Sequence, residues 1–279
     1  MATVLKIDEV GHWTEIKLAI LQDYAVPYNR ILHANRLKTI YIDGFAGAGR
    51  HKARGSDRII AGSPLRALNV KPEFDFLHFV DINRARVEEL RRLATGHPNV
   101  TVHHGDCNRV LLRDIFPRIA YEHFERAICI LDPYGLHLDW QVIAAAGKNG
   151  VTEIFLNFPV MDMNMNVFWA NPDRVTVVSQ KRMTRFWGDD SWREAAYEPV
   201  QTLFGEIIEK SSIDRVVEAF RNRLKTKAGF QFVPMPMPMR NSKGAIVYFL
   251  FFAAHKPEAA NIVEYIFESH RHLGATENG

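Results

Sequence analysis

Cysteine is scarce in this chain: there are two, Cys107 and Cys129, in 279 residues. They form no Cys-x-x-Cys pair, so nothing suggests a disulfide framework or a paired-cysteine metal site. Cys129 lies within an apolar run and reads as core filler, and a reducing cytoplasm is the expected compartment. Charge of one sign is also in short supply. Lys and Arg number 35 against 32 Asp and Glu, a formal net charge of +3, so any nucleic-acid surface has to be a local patch. Long hydrophobic runs are missing. The longest, residues 245–254, falls well short of the roughly 20 residues of a spanning helix. The N-terminus has no apolar signal core. A soluble protein with no membrane association is expected. No His-Glu-x-x-His motif, no carboxylate cluster at metal spacing, no internal repeat and no low-complexity tract is present, and His103-His104 reads as a strand border rather than a metal site.

What the chain does have is alternation. Residues 13–32 carry Ile16, Ile20, Tyr24 and Tyr28 at helical spacing, with Pro27 expected to bend or end the helix. Short apolar strands are then expected at 39–43, 74–80, 99–103, 127–131 and 152–158. Helices are expected between them, at 63–68 behind a Ser63-Pro64 start, at 83–94 and at 140–146. Near-continuous apolar strands separated by helices imply a mostly parallel twisted sheet covered on both faces. The polar, basic stretch 50–60 intervenes before the first helix and is expected to be a mobile loop. Residues 161–229 hold Trp169, Trp187 and Trp192 among arginines and acids. They are too long for a connection and read as a helical insertion within one domain spanning 1–279. Two strands, 230–239 and 245–254, flank Asn241-Ser242-Lys243-Gly244 as an antiparallel C-terminal hairpin. The Met-Pro alternation of 235–239 suits a sheet edge, and 258–270 closes the chain as a helix.

Each expected strand ends on a polar signature, and ligands of open α/β sheets bind outside those ends. After the first strand comes Asp43-Gly44-Phe45-Ala46-Gly47-Ala48-Gly49. Glycines let a backbone approach a ligand, but an acid there repels a phosphate and suits an ammonium. Arg50-His51 follows Gly49 where a P-loop needs Lys-Ser/Thr, and Lys52 stands where a dinucleotide fingerprint needs its third glycine. S-adenosylmethionine, with an amino group and a sulfonium, fits the loop; a tight turn with a capping acid is the plainer alternative. Asp81 ends the second strand, farther past Gly49 than the roughly 20 residues of a compact unit. It can accept from both ribose hydroxyls, with Ile82 as a wall for adenine, or simply cap the next helix. Asp106 and Cys107 follow the third strand in Gly105-Asp106-Cys107-Asn108, placed to meet the adenine amino group or to cap a helix.

After the fourth strand stands Asp132-Pro133-Tyr134-Gly135. An exocyclic amine on a base is a poor nucleophile because its lone pair is delocalised into the ring. Asp132 and the Pro133 carbonyl can accept its hydrogens and align it with a methyl carbon, while Tyr134 stacks on the base. A turn that merely ends on Pro and Gly is the alternative. Asn157, one residue before the end of the fifth strand, is a further candidate for substrate binding. Lys52, Arg54 and Arg58, with Arg185 beside Trp187, are positioned to hold a nucleic-acid substrate, or form a solvated charged face.

Together, Tyr41-Ile42-Asp43-Gly44-Phe45-Ala46-Gly47 with Gly62-Ser63-Pro64, Phe79-Val80-Asp81, Gly105-Asp106-Cys107-Asn108, Leu131-Asp132-Pro133-Tyr134-Gly135 and Asn157-Phe158-Pro159-Val160-Met161-Asp162 resemble the three-Cys-motif partner protein family, TcmP. So do Arg185-Phe186-Trp187-Gly188-Asp189-Asp190-Ser191-Trp192 and the closing hairpin. The resemblance covers about residues 13–267. It implies a Rossmann-like class I methyltransferase fold, S-adenosylmethionine as cofactor, and a three-cysteine phage-type partner resembling radical S-adenosylmethionine enzymes. Asp132-Pro133-Tyr134-Gly135 also looks like the Asp-Pro-Pro-Tyr motif of base amino-methyltransferases, lacking its second proline, and more like the Asp-Pro-Phe-Gly signature of transfer-RNA guanosine-N2 methyltransferases. The expected function is methyl transfer to an exocyclic amine of a nucleic-acid base. A non-catalytic partner of the three-cysteine protein and a small-molecule methyltransferase are the alternatives; fold alone does not choose among them.

Overall fold

A computed structural model describes residues 8–203 and 205–271. Its centre is a seven-stranded sheet. In chain order the strands are β1 Lys38–Asp43, β2 Phe76–Asp81, β3 Val100–His104, β4 Glu125–Leu131, β5 Thr152–Phe158, β6 Met237–Arg240 and β7 Ile246–Ala253. Across the sheet they lie β6-β7-β5-β4-β1-β2-β3. β1 to β5 pair in parallel, whereas β7 runs antiparallel between β5 and β6. A doubly wound sheet reads 3-2-1-4-5-6; here the last strand is turned over and inserted before the sixth. This is a Rossmann-like class I methyltransferase fold, with the antiparallel C-terminal hairpin expected from the sequence.

The strand residues are apolar on both faces because both are covered. One face carries helix α1, His12–Ala34, and the closing helix Pro257–Arg271. The other carries Trp140–Lys148, Val177–Trp187 and Ile213–Arg223. Pro27 does not end α1, which continues to Ala34. Tyr24 and Tyr28, on either side of it, are buried against Phe155, Phe252 and Phe74. Burying two such rings outweighs the one backbone hydrogen bond a proline removes.

Three expectations are corrected. The basic stretch after Gly49 is not an irregular loop: Arg50–Ala53 and Ile59–Ala61 form a hairpin, and Glu9–Val10 adds to it in parallel. Ile60 and Ala53 are buried with Leu18 of α1, which anchors the hairpin despite its polar composition. The 161–229 insertion is not purely helical. Between its helices lies a two-stranded hairpin, Tyr197–Thr202 with Gly205–Lys210. Its helices pack on the sheet, with the Phe220 ring 4.5 Å from that of Phe158 of β5. The strand expected at 230–239 shrinks to Met237–Arg240, preceded by a single bridge at Phe232. That strand is an edge, where Pro238 is tolerated.

Candidate functional site

Register brings the chemistry to one edge of the sheet. Asp43 is level with Ile130 and Leu131 with Leu156, so Asp132 and Asn157 emerge side by side. Above them opens a cleft of about 470 Å³. Phe45, Ala46 and Gly47 after β1, Asp132 to Gly135 after β4, and Asn157 with Asp162 after β5 border it. Lys17 and Trp13 of α1 and Tyr248 of β7 complete the wall.

Asp43 is fully buried at the root of the glycine loop. Its Oδ1 accepts from the Phe45 amide at 3.2 Å, and its Oδ2 is buried with no hydrogen-bond partner. Burial raises its carboxyl to about 6, against the pull of Ser63 and the Phe45 amide. The glycines around it serve different ends. A Cβ on Gly44 would meet Cys107 Sγ at 2.8 Å, and one on Gly49 would meet Leu93 at 2.5 Å, so both are packing requirements. Gly47 has φ +65° with open space where a Cβ would point, and it borders the cleft. Cys107 is itself buried under Gly44, and burial pushes its thiol up; the side chain packs rather than faces the cleft.

Asp81 is buried and already holds the loop in place. Oδ2 accepts from the Gly47 amide at 3.0 Å and Oδ1 from Asn83 at 2.7 Å, with Arg86 Nη1 3.7 Å away. Ile82 beside it is exposed. Asp106 is exposed and caps the short helix Cys107–Val110 through the Arg109 amide at 3.2 Å. These three residues lie at the ends of β2 and β3, next to the cleft along the same edge.

Asp132 is held from both sides: Lys17 forms an ion pair with Oδ2, and the Asn157 amide donates to Oδ1. The Lys17 side chain is 8% exposed and that of Asp132 37%. Sequence reading missed Lys17. The available signal was a lysine inside the buried face of α1, between Ile16 and Leu18. Pro133 is buried beneath it, and Tyr134 projects with 62% exposure. The Tyr134 hydroxyl donates to Asp8 Oδ2 at 3.2 Å, while Arg86 donates to the Asp8 carboxylate and lies over the Tyr134 ring at 5.8 Å from its centroid. Gly135 has φ +58°, and a Cβ there would sit 2.9 Å from the Asp162 carboxylate. Asp162 in turn accepts from Asn166 at 2.9 Å and faces Arg182 at 3.6 Å.

The basic candidates are engaged at the surface. Lys52 pairs with Asp57 at 2.7 Å, Arg58 with Glu15 at 2.6 and 2.8 Å, and Arg185 with Asp139 at 2.7 Å. Arg54 stacks over Trp13. Trp187 does not face the cleft. It is 2% exposed, donates to Ser191 Oγ and packs on Phe220. Its place in a substrate surface is corrected, because a large ring in an amphipathic helix was needed for the core. No group of three or more metal-ligating side chains occurs among the described residues, and no helix among them is long and apolar enough to cross a membrane.

No protein-family model matches the chain, and no curated protein matches it by sequence. Several solved structures resemble it. Protein LPL1258 from Legionella pneumophila has 12% identity and a TM-score of 0.49, covering 94% of this chain and 93% of its own. The N-terminal domain of EvdMO1, solved with S-adenosylhomocysteine bound, has 13% identity and a TM-score of 0.39, covering 84% of this chain and 79% of its own. WbdD has 12% identity and a TM-score of 0.41, covering 86% of this chain and 40% of its own. At these scores the fold assignment rests on the strand order itself.

Proposed function

We propose that the chain is an S-adenosylmethionine-dependent methyltransferase that modifies an exocyclic amine of a nucleic-acid base. The observation that carries this reading is Asp132, fixed by Lys17 and Asn157 at the lip of a cleft beside a projecting tyrosine. A half-exposed carboxylate whose two oxygens each hold one internal partner keeps lone pairs for a ligand's N–H groups. The Pro133 carbonyl and the Tyr134 ring supply a second acceptor and a stacking surface.

The cofactor fits on a separate feature. Asp43 Oδ2 is a buried acceptor that makes no full hydrogen bond, with only the Ser63 hydroxyl pulling on the carboxyl, an arrangement that leaves capacity for a stronger donor. An amino-acid ammonium is the complementary group. Asp81 and exposed Ile82 are the residues for ribose and adenine, and Gly47 leaves room for the ligand to approach its backbone. When bound, the cofactor supplies an electrophilic methyl group on a sulfonium. The protein orients the amine, accepts its hydrogens and shields the base from water. Around the mouth, Lys52, Arg54, Arg58 and Arg185 can exchange surface carboxylates for phosphates at little cost, because exposed ion pairs are weak.

Two measurements test the reading. Calorimetry with S-adenosylhomocysteine asks whether the cofactor site exists. Labelled cofactor with total RNA and total DNA, followed by digestion to nucleosides, asks what is methylated. Absence of binding at millimolar cofactor sinks the reading; label on a protein or small molecule instead of a nucleoside sinks its substrate half.

A further inference from the structure

The hairpin Tyr197–Thr202/Gly205–Lys210 has six paired residues on each strand and is anchored at its root. There the carbonyls of Val167 and Trp169 share the one hydrogen of the Tyr197 hydroxyl, and Lys210 donates to Asn164 Oδ1. Beyond the root it leaves the body. Every residue of the second strand is exposed, including the consecutive Ile207 and Ile208, which point to opposite faces, and Leu203 at the tip is 99% exposed. No further strand joins it among the described residues. A lone two-stranded ribbon is marginal in water, and apolar side chains on both faces mark a surface meant to be covered.

Its charge says what kind of surface covers it. Glu198, Glu206 and Glu209 stand against Lys210 alone, which disfavours nucleic acid. The same chain carries a complementary surface next to the root of the arm. A shallow cleft of about 410 Å³ is lined by Trp187, Ala195 and Ala219 and by three cations, Arg215, Arg223 and Lys227, against one acid, Glu194. Arg215 already pairs with Glu198 at the arm's root, and Arg223 with Asp189. Lys227 is exposed and has no carboxylate partner among the described residues.

We propose that two copies of this chain exchange these arms: each arm lies over the other copy's cationic cleft about a twofold axis. Leu203 and one isoleucine cover the apolar lining, and Glu206 or Glu209 meets Lys227. Because arm and cleft adjoin on one subunit, a single twofold axis beside them satisfies both contacts at once and closes the assembly at two. The exchange gives the ribbon the cover it lacks in the single chain. It does not depend on the catalytic reading, since neither surface touches the cleft above Asp132.

The test is sedimentation of the full chain from about 1 to 100 µM, the range in which mass action separates a stable pair from a weak one. The wild type is expected to be a dimer. Leu203→Asp and Lys227→Glu should each weaken it by roughly tenfold or more. Lys227→Glu combined with Glu206→Lys and Glu209→Lys should recover association, which a merely unfolded variant would not do. Replacing residues 199–208 with a short Gly-rich turn should give a monomer with unchanged melting temperature. A wild-type monomer at the highest concentration overturns the exchange. So does a dimer that survives removal of the arm, or an arm captured only by a different protein.

Discussion

Asp43 carries two opposed demands. For the folded chain it is a burden, a carboxyl raised from 3.8 to about 6 chiefly by burial. For a ligand ammonium it is useful only when ionised. The signs follow from linkage. Between pH 4 and 6 the native state holds this proton more tightly than the unfolded chain, so this group's contribution to stability falls as pH rises through that window. Asp43→Asn should therefore raise the melting temperature at pH 8 and change it little at pH 4. Affinity for S-adenosylhomocysteine should run the other way in the wild type, strengthening from pH 5 to 7, and Asp43→Asn should lose affinity above about pH 6 while converging on the wild type toward pH 4. Calorimetry and melting on the same two proteins check both signs; a variant that gains stability and keeps its cofactor affinity would show that the acid is only a turn residue. Asp132 presents a different problem, because Lys17 is buried against it. Asp132→Ala leaves that ammonium without a partner, and breaking a buried pair from one side costs about 3–5 kcal/mol where both groups are dry. The half-open carboxylate reduces that figure here. Asp132→Ala should lower the melting temperature, whereas Asp132→Ala with Lys17→Met should recover most of the loss. Methyl transfer should be absent from both, with cofactor affinity within a few-fold of wild type. Transfer by either folded variant would end the proposed role of Asp132.

At the scale of elements, the parallel strands were readable because each is an apolar run closed by an acid or proline at the edge where ligands bind. Asp43, Asp81, Asp132 and Asn157 all stand where that pattern places them. The two extra hairpins were not readable, for a common reason. Residues 50–61 and 197–210 are rich in charge, and their pairing partners are each other or a two-residue strand from the N-terminus. Strand signals by alternation are weak when one face is not buried. Lys17 was hidden for the opposite reason: a lysine beside an apolar helical stripe ordinarily snorkels to solvent, and only the fold brings Asp132 over it. The first hairpin changes what a protease should see. A mobile loop would be cut at any of Lys52, Arg54 and Arg58. In the hairpin Lys52 pairs with Ile59, while Arg54 and Arg58 lie in the exposed turn. Limited trypsin digestion followed by mass spectrometry should find early cuts after Arg54 and Arg58 and a protected Lys52. An early cut after Lys52 would mean the hairpin is not formed in solution.

For the whole molecule, a net charge of +3 makes nucleic-acid binding a matter of where cations lie. Arg54 stacks on Trp13, a wall of the cleft, and Arg58 pairs with Glu15, also in the first turn of α1. Arg185 sits on Asp139, four residues past Gly135. Arg54 and Arg58 contact the start of α1, whose Trp13 lines the cleft, and Arg185 is carried on Val177–Trp187, the helix whose Arg182 faces Asp162 of the cleft. A single strand laid across the mouth would meet both groups with its phosphates while a base enters toward Tyr134. Phosphate contacts position the strand without reading its sequence, and each one neutralised releases counterions. Arg54→Glu with Arg58→Glu should therefore weaken binding of single-stranded oligonucleotides by similar factors whatever their sequence. The slope of log affinity against log salt should become shallower by roughly one to two, and S-adenosylhomocysteine affinity should not move. Tyr134→Ala should do the reverse, lowering affinity by about 1–3 kcal/mol for a base stack with an unchanged salt slope, and Tyr134→Phe should be mild because the ring survives. Fluorescence titrations at several salt concentrations separate the two classes. If the double charge reversal leaves oligonucleotide affinity and its salt slope intact, the basic hairpin is a solvated face, and the substrate reaches the cleft by another route.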